Sequence, residues 1–193
     1  MFRQINIPHH AESGNAIEHR RGVVMLELIL VAPILMIILL AIVEFGLILA
    51  ADKHVEFASR LGAKIAAEVP RSGGSPNLSN VNNPATLANI KVQVDNYLAT
   101  AGYSDSCQVI LEHNATGVAN PLQENPLVAP CPCGPVGSLP ASVVGPPVTA
   151  VESVRVTVCL PMQGNIPNGL FSFGFDITNC SIQQSTVWQY EDP

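Results

Sequence analysis

Apolar residues follow three regimes along this 193-residue chain. From Val23 to Ala51 they run almost unbroken, with Glu27 and Glu44 as the only ionisable residues. From Asp52 to Val69 they thin to a stripe, in which Val55, Ala58, Gly62, Ile65 and Val69 recur at steps of three and four. That period is helical. Glu56 with Arg60, and Lys64 with Glu68, form i,i+4 pairs on its polar side. Gly46 and Gly62 do not break the pattern, so it predicts one helix from about Val23 to Val69, stopped by Pro70. At ~1.5 Å per residue it spans roughly 70 Å, more than a bilayer is thick. A seam of small residues on such a helix needs a partner, either this chain's own sheet or other subunits.

The third regime is mixed. Residues 71–83 (RSGGSPNLSNVNN) read as linker. Pro84 opens a second helical pattern with Leu87, Ile90, Val94, Tyr97 or Leu98, and Ala101 on one face, and Gly102 stops it. CQVILEH at 107–113 predicts a short strand, and a loop rich in Pro and Gly follows from Asn114 to Pro147. SVRVTVCL at 153–160 alternates as a strand does. A last strand pattern near Cys180–Tyr190 places Ile182, Trp188 and Tyr190 on one parity. The economical architecture is α+β: a long N-terminal helix continuing into a small domain, where a short antiparallel sheet packs on a helix.

Length and charge turn the first regime into a membrane reading. Crossing ~30 Å of hydrocarbon takes about 20 residues. Leu28 to Val43 supplies 16 without charge, so a full span holds Glu27 or Glu44 near an edge. There a charge costs well below the roughly 2.5–3.5 kcal/mol of the bilayer centre. Pro33 inside the run is tolerated by membrane helices. Arg20 and Arg21 abut the run and favour an inside N-terminus. A cleavable secretory signal fits poorly, since the run exceeds an apolar core of about 7–15 residues and Leu49-Ala50-Ala51 is a poor cleavage site. The net charge of −6, with no Lys/Arg cluster, argues against nucleic acid, as does an aromatic content of 5%.

All five cysteines, Cys107, Cys131, Cys133, Cys159 and Cys180, follow the run and would be exported to an oxidising compartment. Two bonds among five cysteines allow 15 connectivities. One of these pairs Cys159 with Cys180 and ties Cys107 to the 131/133 loop. A zinc site at PCPCG (130–134) would need two more close ligands, and the Cys-x-x-Cys redox spacing is absent. No phosphate loop, nucleophile elbow or His-x-x-x-His occurs, so no catalytic residue, metal site, cofactor or small-molecule substrate is expected.

Glu27 is explained by its context: a polar leader ending Arg20-Arg21-Gly22, four apolar residues, the glutamate, then an apolar stretch. This resembles the class III signal of type IV pilin-like proteins. More closely, RRGVVMLEL, Pro33, AIVEFG (41–46) and ASRLGAKIAA (58–67) together resemble TadE-like proteins of the tight-adherence (Flp pilus) system, over about residues 20–69. Leu28 stands where that family usually has Phe or Tyr. The resemblance implies a bacterial inner-membrane protein, cytoplasmic at its N-terminus and periplasmic or extracellular at its C-terminal domain. It also implies cleavage between Gly22 and Val23 by a prepilin peptidase, with Glu27 as the docking charge for other pilin-like subunits and the pilus assembly machinery. The organisation that follows is a leader at 1–22, a transmembrane part at 23–51, an exported amphipathic continuation at 52–69, a linker at 70–83 and an exported disulfide-bonded domain at 84–193. The alternative is an unprocessed single-pass anchor carrying an exported disulfide-bonded binding domain.

Overall fold

The computed structural model describes residues 15–68, 84–113, 123–124, 139 and 153–189. It has an α+β fold: helix α1 (Asn15–Ala67), helix α2 (Pro84–Thr100), and strands β1 (Gln108–His113), β2 (Gln123–Glu124), β3 (Ser153–Pro161) and β4 (Ser181–Gln189). A 3-10 turn covers Phe171–Phe173. Two compact units divide the chain, Met1–Ile42 and Val43–Pro193.

The first helix begins eight residues before the expected Val23, because Ala16, Glu18, Arg20 and Arg21 are good helix formers and nothing breaks the pattern ahead of Gly22. It carries Pro33 internally and ends at Ala67. Two residues later comes Val69, which the following Pro70 disfavours for helix; both lie outside the described residues. At the second helix Pro84 occupies the start, where its missing N–H costs nothing. Its end is a paired backbone cap. The Gly102 N–H donates to Ala99 O (3.0 Å), and the Tyr103 N–H to Leu98 O (3.0 Å), with Gly102 at φ +88°. Those two bonds require a left-handed residue, which glycine adopts without a Cβ clash.

The sheet is antiparallel in the order β2-β1-β3-β4. Ile110 lies opposite Thr157, and Val156 opposite Thr186. One row of β3, Val154, Val156, Val158 and Leu160, is fully buried with Val109 and Leu111 of β1. These residues form the core with Ala51, Val55, Ala58, Ala63 and Ala66 of α1 and Leu87, Ile90, Val94 and Leu98 of α2. The alternation read in β3 identifies this row, but the opposite row is covered too: Thr157 and Cys159 are fully buried. The strand is therefore central, and Arg155 on that row is held by an ion pair to the buried Glu112.

The small-residue seam finds its partner within the chain. A Cβ placed on Gly62 would lie 2.9 Å from Val156 Cγ1, 3.3 Å from Ile90 Cγ2 and 3.4 Å from Val94 Cγ2, so β3 and α2 close on the glycine. The β4 row beside it is polar and hydrogen-bonded to α1. Gln184 Nε2 donates to Asp52 Oδ1 (2.6 Å), and the Thr186 and Ser59 hydroxyls meet at 2.7 Å. Ile182 is the buried apolar member of that row. Trp188, expected on the same parity, is exposed at the strand's far end, and Tyr190 lies outside the described residues. The long loop expected at 114–147 contains the two-residue strand β2, paired with β1 through Ile110 and Leu111.

Candidate functional site

From Val23 to Val43 every side chain of α1 is exposed except the half-buried Ala32, Ile37 and Ala41. An apolar surface of this extent marks a membrane or protein interaction site. The Val23–Ala67 segment is long and apolar enough to cross a membrane by length and composition. Gly22 and Val23 lie inside α1, and Glu27 is exposed on the helix one turn beyond Val23.

Glu44, the second carboxylate of the apolar run, behaves differently. It is 3% exposed although its neighbours Val43 and Phe45 are open. Its Oε2 accepts the backbone N–H of Leu170 at 2.9 Å. Its Oε1 is buried with no hydrogen-bond partner among the described residues. The acceptor is needed because Leu170 heads the 3-10 turn and no side chain of its own caps that end. Behind it the turn closes by Phe173 N–H to Leu170 O (2.9 Å) and Gly174 N–H to Phe171 O (3.0 Å), with Gly174 at φ +89°. The Phe175 ring then stands 5.3 Å from the Phe45 ring, in a tilted arrangement. Asp176 fixes the base of the loop, accepting from Thr178 N–H (2.9 Å), the Thr178 hydroxyl (2.5 Å) and Asn168 Nδ2 (3.0 Å). These Thr178 hydrogen bonds hold its carboxyl below the usual range. The connection between β3 and β4, residues 162–180, is thus tied to α1 by one carboxylate and one ring pair. Sequence reasoning marked Glu44 only as an edge charge. Its partner lies 126 residues away, and a backbone N–H leaves no letter in the sequence.

The remaining sites lie elsewhere in the fold. On α1, Glu56 pairs with Arg60, and Lys64 with Glu68 (3.7 Å), as their spacing predicted, and Glu56 also pairs with Lys53 (2.8 Å), which the i,i+4 reading did not include. Hydrogen bonding to Lys53 is the largest cause of the lowered Glu56 pKa. Between the helices, His54 Nδ1 lies 3.2 Å from the Tyr97 hydroxyl. Asp95 of α2 joins the chain ahead of β1. Its Oδ1 accepts the Ser106 N–H (2.8 Å) and hydroxyl (2.5 Å), while Lys91 Nζ bridges Asp95 Oδ2 (2.6 Å) and Ser106 O (2.9 Å).

Cys107 and Cys159 are each disulfide-bonded, and Cys180 is a free, exposed thiol. The pairing of Cys159 with Cys180 is therefore not the one present. The register explains why: Cys159 lies opposite Gln183, three residues along β4 from Cys180. That offset is ~10 Å at ~3.3 Å per residue, beyond the roughly 7 Å a disulfide can bridge. Cys131 and Cys133 lie outside the described residues. No group of three metal-ligating side chains occurs among the described residues.

An α+β domain whose core includes an N-terminal helix with a long exposed apolar stretch defines a class: proteins suited to membrane anchoring by one apolar helix, the one such helix among the described residues. Within that class, residues 22–64 match the family model described as TadE-like protein, which bears out the family resemblance over that segment. The match opens at Gly22 and includes Glu27 and Glu44. No curated protein and no solved structure matches this chain.

Proposed function

We propose that the chain is a non-enzymatic pilin-like subunit or assembly component of a tight-adherence pilus, held in the bacterial inner membrane by α1. The N-terminus is cytoplasmic, and the disulfide-bonded domain is periplasmic or extracellular. The observation that carries this reading is the TadE-like match from Gly22 through the exposed apolar stretch and Glu27. Prepilin peptidase cleaves after Gly22 and leaves an ammonium on Val23. In a low-dielectric helix bundle that ammonium pairs with the Glu27 carboxylate of a neighbouring subunit and fixes the stagger between them. Exposure of both Val23 and Glu27 supports the pairing, because it leaves both side chains open to a neighbouring subunit. Gly22 and Val23 are helical, so the peptidase must unwind one turn, and glycine is the residue at which that costs least.

N-terminal sequencing of membrane-extracted protein is the test, with Val23 as the expected first residue. Retention of residues 1–22 would replace this reading with the unprocessed anchor and its exported binding domain. In the processed chain, Glu27→Ala leaves membrane insertion intact and abolishes pilus assembly in an adherence and filament assay. Normal assembly of that variant would remove the docking role.

A further inference from the structure

We propose that the Phe171–Phe175 turn is a second membrane-contacting element, an aromatic knuckle that seats the folded domain on the lipid surface. The inference rests on the reading of α1 as membrane-inserted and goes beyond it, assigning a bilayer contact to a loop near the other end of the chain. Phe171, Phe173 and Phe175 are 59%, 57% and 37% exposed, three phenylalanines open to the medium within five residues. Phenylalanine has no polar atom to reward exposure to water, and the 3-10 turn closed at Gly174 presents all three rings outward. No charged residue occurs between Arg155 and Asp176.

What covers this surface follows from where it is tied. The Glu44 carboxylate holds Leu170, and the Phe45 ring holds Phe175, so the knuckle stands beside positions 44 and 45 of α1. Those positions immediately follow the exposed apolar run. With ~1.5 Å per residue and ~30 Å of hydrocarbon, a span starting between Val23 and Leu28 leaves the bilayer at about residues 43–47. The loop is thereby placed at the lipid boundary, beside the residues of α1 at which the span ends. Asp176, exposed next to Phe175 and hydrogen-bonded to Thr178 and Asn168, then lies at headgroup depth, where a charge is tolerated. Glu44 has a role in the same scheme: the knuckle shields its carboxylate from hydrocarbon and gives it a hydrogen bond there. Apolar rings on a short interfacial element are a recognised means of holding protein against a membrane surface.

The test uses the full chain reconstituted in phosphatidylcholine–phosphatidylglycerol vesicles. Trp188 is the chain's single tryptophan, so W188F provides a silent background. Indoles are introduced one at a time by F173W, F171W and, as a control twelve residues beyond Phe45 on α1, F57W. Far-UV circular dichroism matching the parent establishes that each variant is folded, and F171W repeats the measurement independently of F173W. The expected result is that the indoles of F173W and F171W lose emission with lipids brominated high on the acyl chain and are protected from aqueous iodide. The indole of F57W behaves in the opposite way. Quenching of the knuckle indoles by iodide but not by brominated lipid, while the chain resists alkaline extraction, would overturn the knuckle and leave the anchored helix standing. Release of the chain by alkali would overturn both. Iodide protection without bromolipid quenching would assign the surface to a second copy of the chain and likewise overturn the proposal.

Discussion

Gly62 is the position where α1 approaches the rest of its domain most closely, and enlarging it tests whether the seam is closed by this chain's own sheet. A methyl group at Gly62 meets Val156 Cγ1 at 2.9 Å, Ile90 Cγ2 at 3.3 Å and Val94 Cγ2 at 3.4 Å. Carbon atoms rest at about 3.5–4.0 Å. The deficit is therefore roughly 0.6 Å or more at Val156, with α2 also in contact. Overpacking of this kind costs about 1–3 kcal/mol, and replacing glycine by alanine in a helix returns about 1 kcal/mol. Gly62→Ala is then destabilising by about 0–2 kcal/mol, which does not by itself decide the question. Gly62→Val does: it adds two further methyl groups and a β-branched side chain with poorer helix propensity, for a net loss of about 3 kcal/mol. For a unit of this size that lowers the unfolding temperature by about 6–12 °C. The assay is thermal unfolding of the full chain in detergent micelles, followed by circular dichroism. Gly46 is the control, since a Cβ there has nothing within 4 Å and Gly46→Ala does not lower the midpoint. If Gly62→Val melts with the parent, the seam is open in the folded protein and the packing of α1 against β3 and α2 is wrong.

Three further outcomes follow from the hydrogen bonds. Glu44→Ala removes the acceptor of the Leu170 N–H, and chymotrypsin should then cut after Phe171 and Phe173 faster in detergent, whereas Glu44→Gln keeps an acceptor and should be cut like the parent; equal rates for all three would deny the tie. Asp95→Ala takes both side-chain acceptor bonds from Ser106 and the carboxylate from Lys91, a loss of about 2–3 kcal/mol that a melting curve would show as a drop of roughly 5–10 °C. The Asp176 carboxyl titrates below its ordinary 3.8 because Thr178, by hydroxyl and backbone N–H, and Asn168 donate to it. A depressed folded-state pKa gives stability that is present above 3.8 and lost as pH falls through the lower folded value. Unfolding midpoints measured from pH 5 downward should therefore fall less in Asp176→Asn than in the parent, and identical slopes would contradict that.

Periodicity made much of this fold legible. Val55 and Ala58 of the helical stripe, the face Leu87-Ile90-Val94-Leu98 and the alternating row Val154-Val156-Val158-Leu160 appear in the core, and Gly62 is buried against it; Ile65 is only half-buried, Val69 lies outside the described residues, and Ala63 and Ala66 fill the core in their place. These patterns are local, and burial on one face writes them directly into the order of residues. What periodicity left unread depends on distant partners. The second face of β3 carries Arg155 and Thr157, letters that suggest solvent, and only the packed domain shows Thr157 fully buried and Arg155 half-buried. The pairing of cysteines follows strand register, and a three-residue offset between Cys159 and Cys180 cannot be seen until β3 and β4 are aligned. At the candidate site, Gly22, Val23 and Glu27 stood out because their spacing is local. Glu44 did not, since the group it serves is the backbone of Leu170.

The meeting of Gly62 with Val156 also has a consequence in time. The two residues are 94 positions apart (156 − 62), and the helix is synthesised first. At ~5–20 residues per second, Val156 leaves the ribosome roughly 5–20 s after Gly62. During that interval α1 presents Ala51, Val55, Ala58 and Ala66 with no strand to cover them. The chain must deliver this core-forming helix face well before the sheet that will hide it, and the order of synthesis makes folding of this domain wait on its last third.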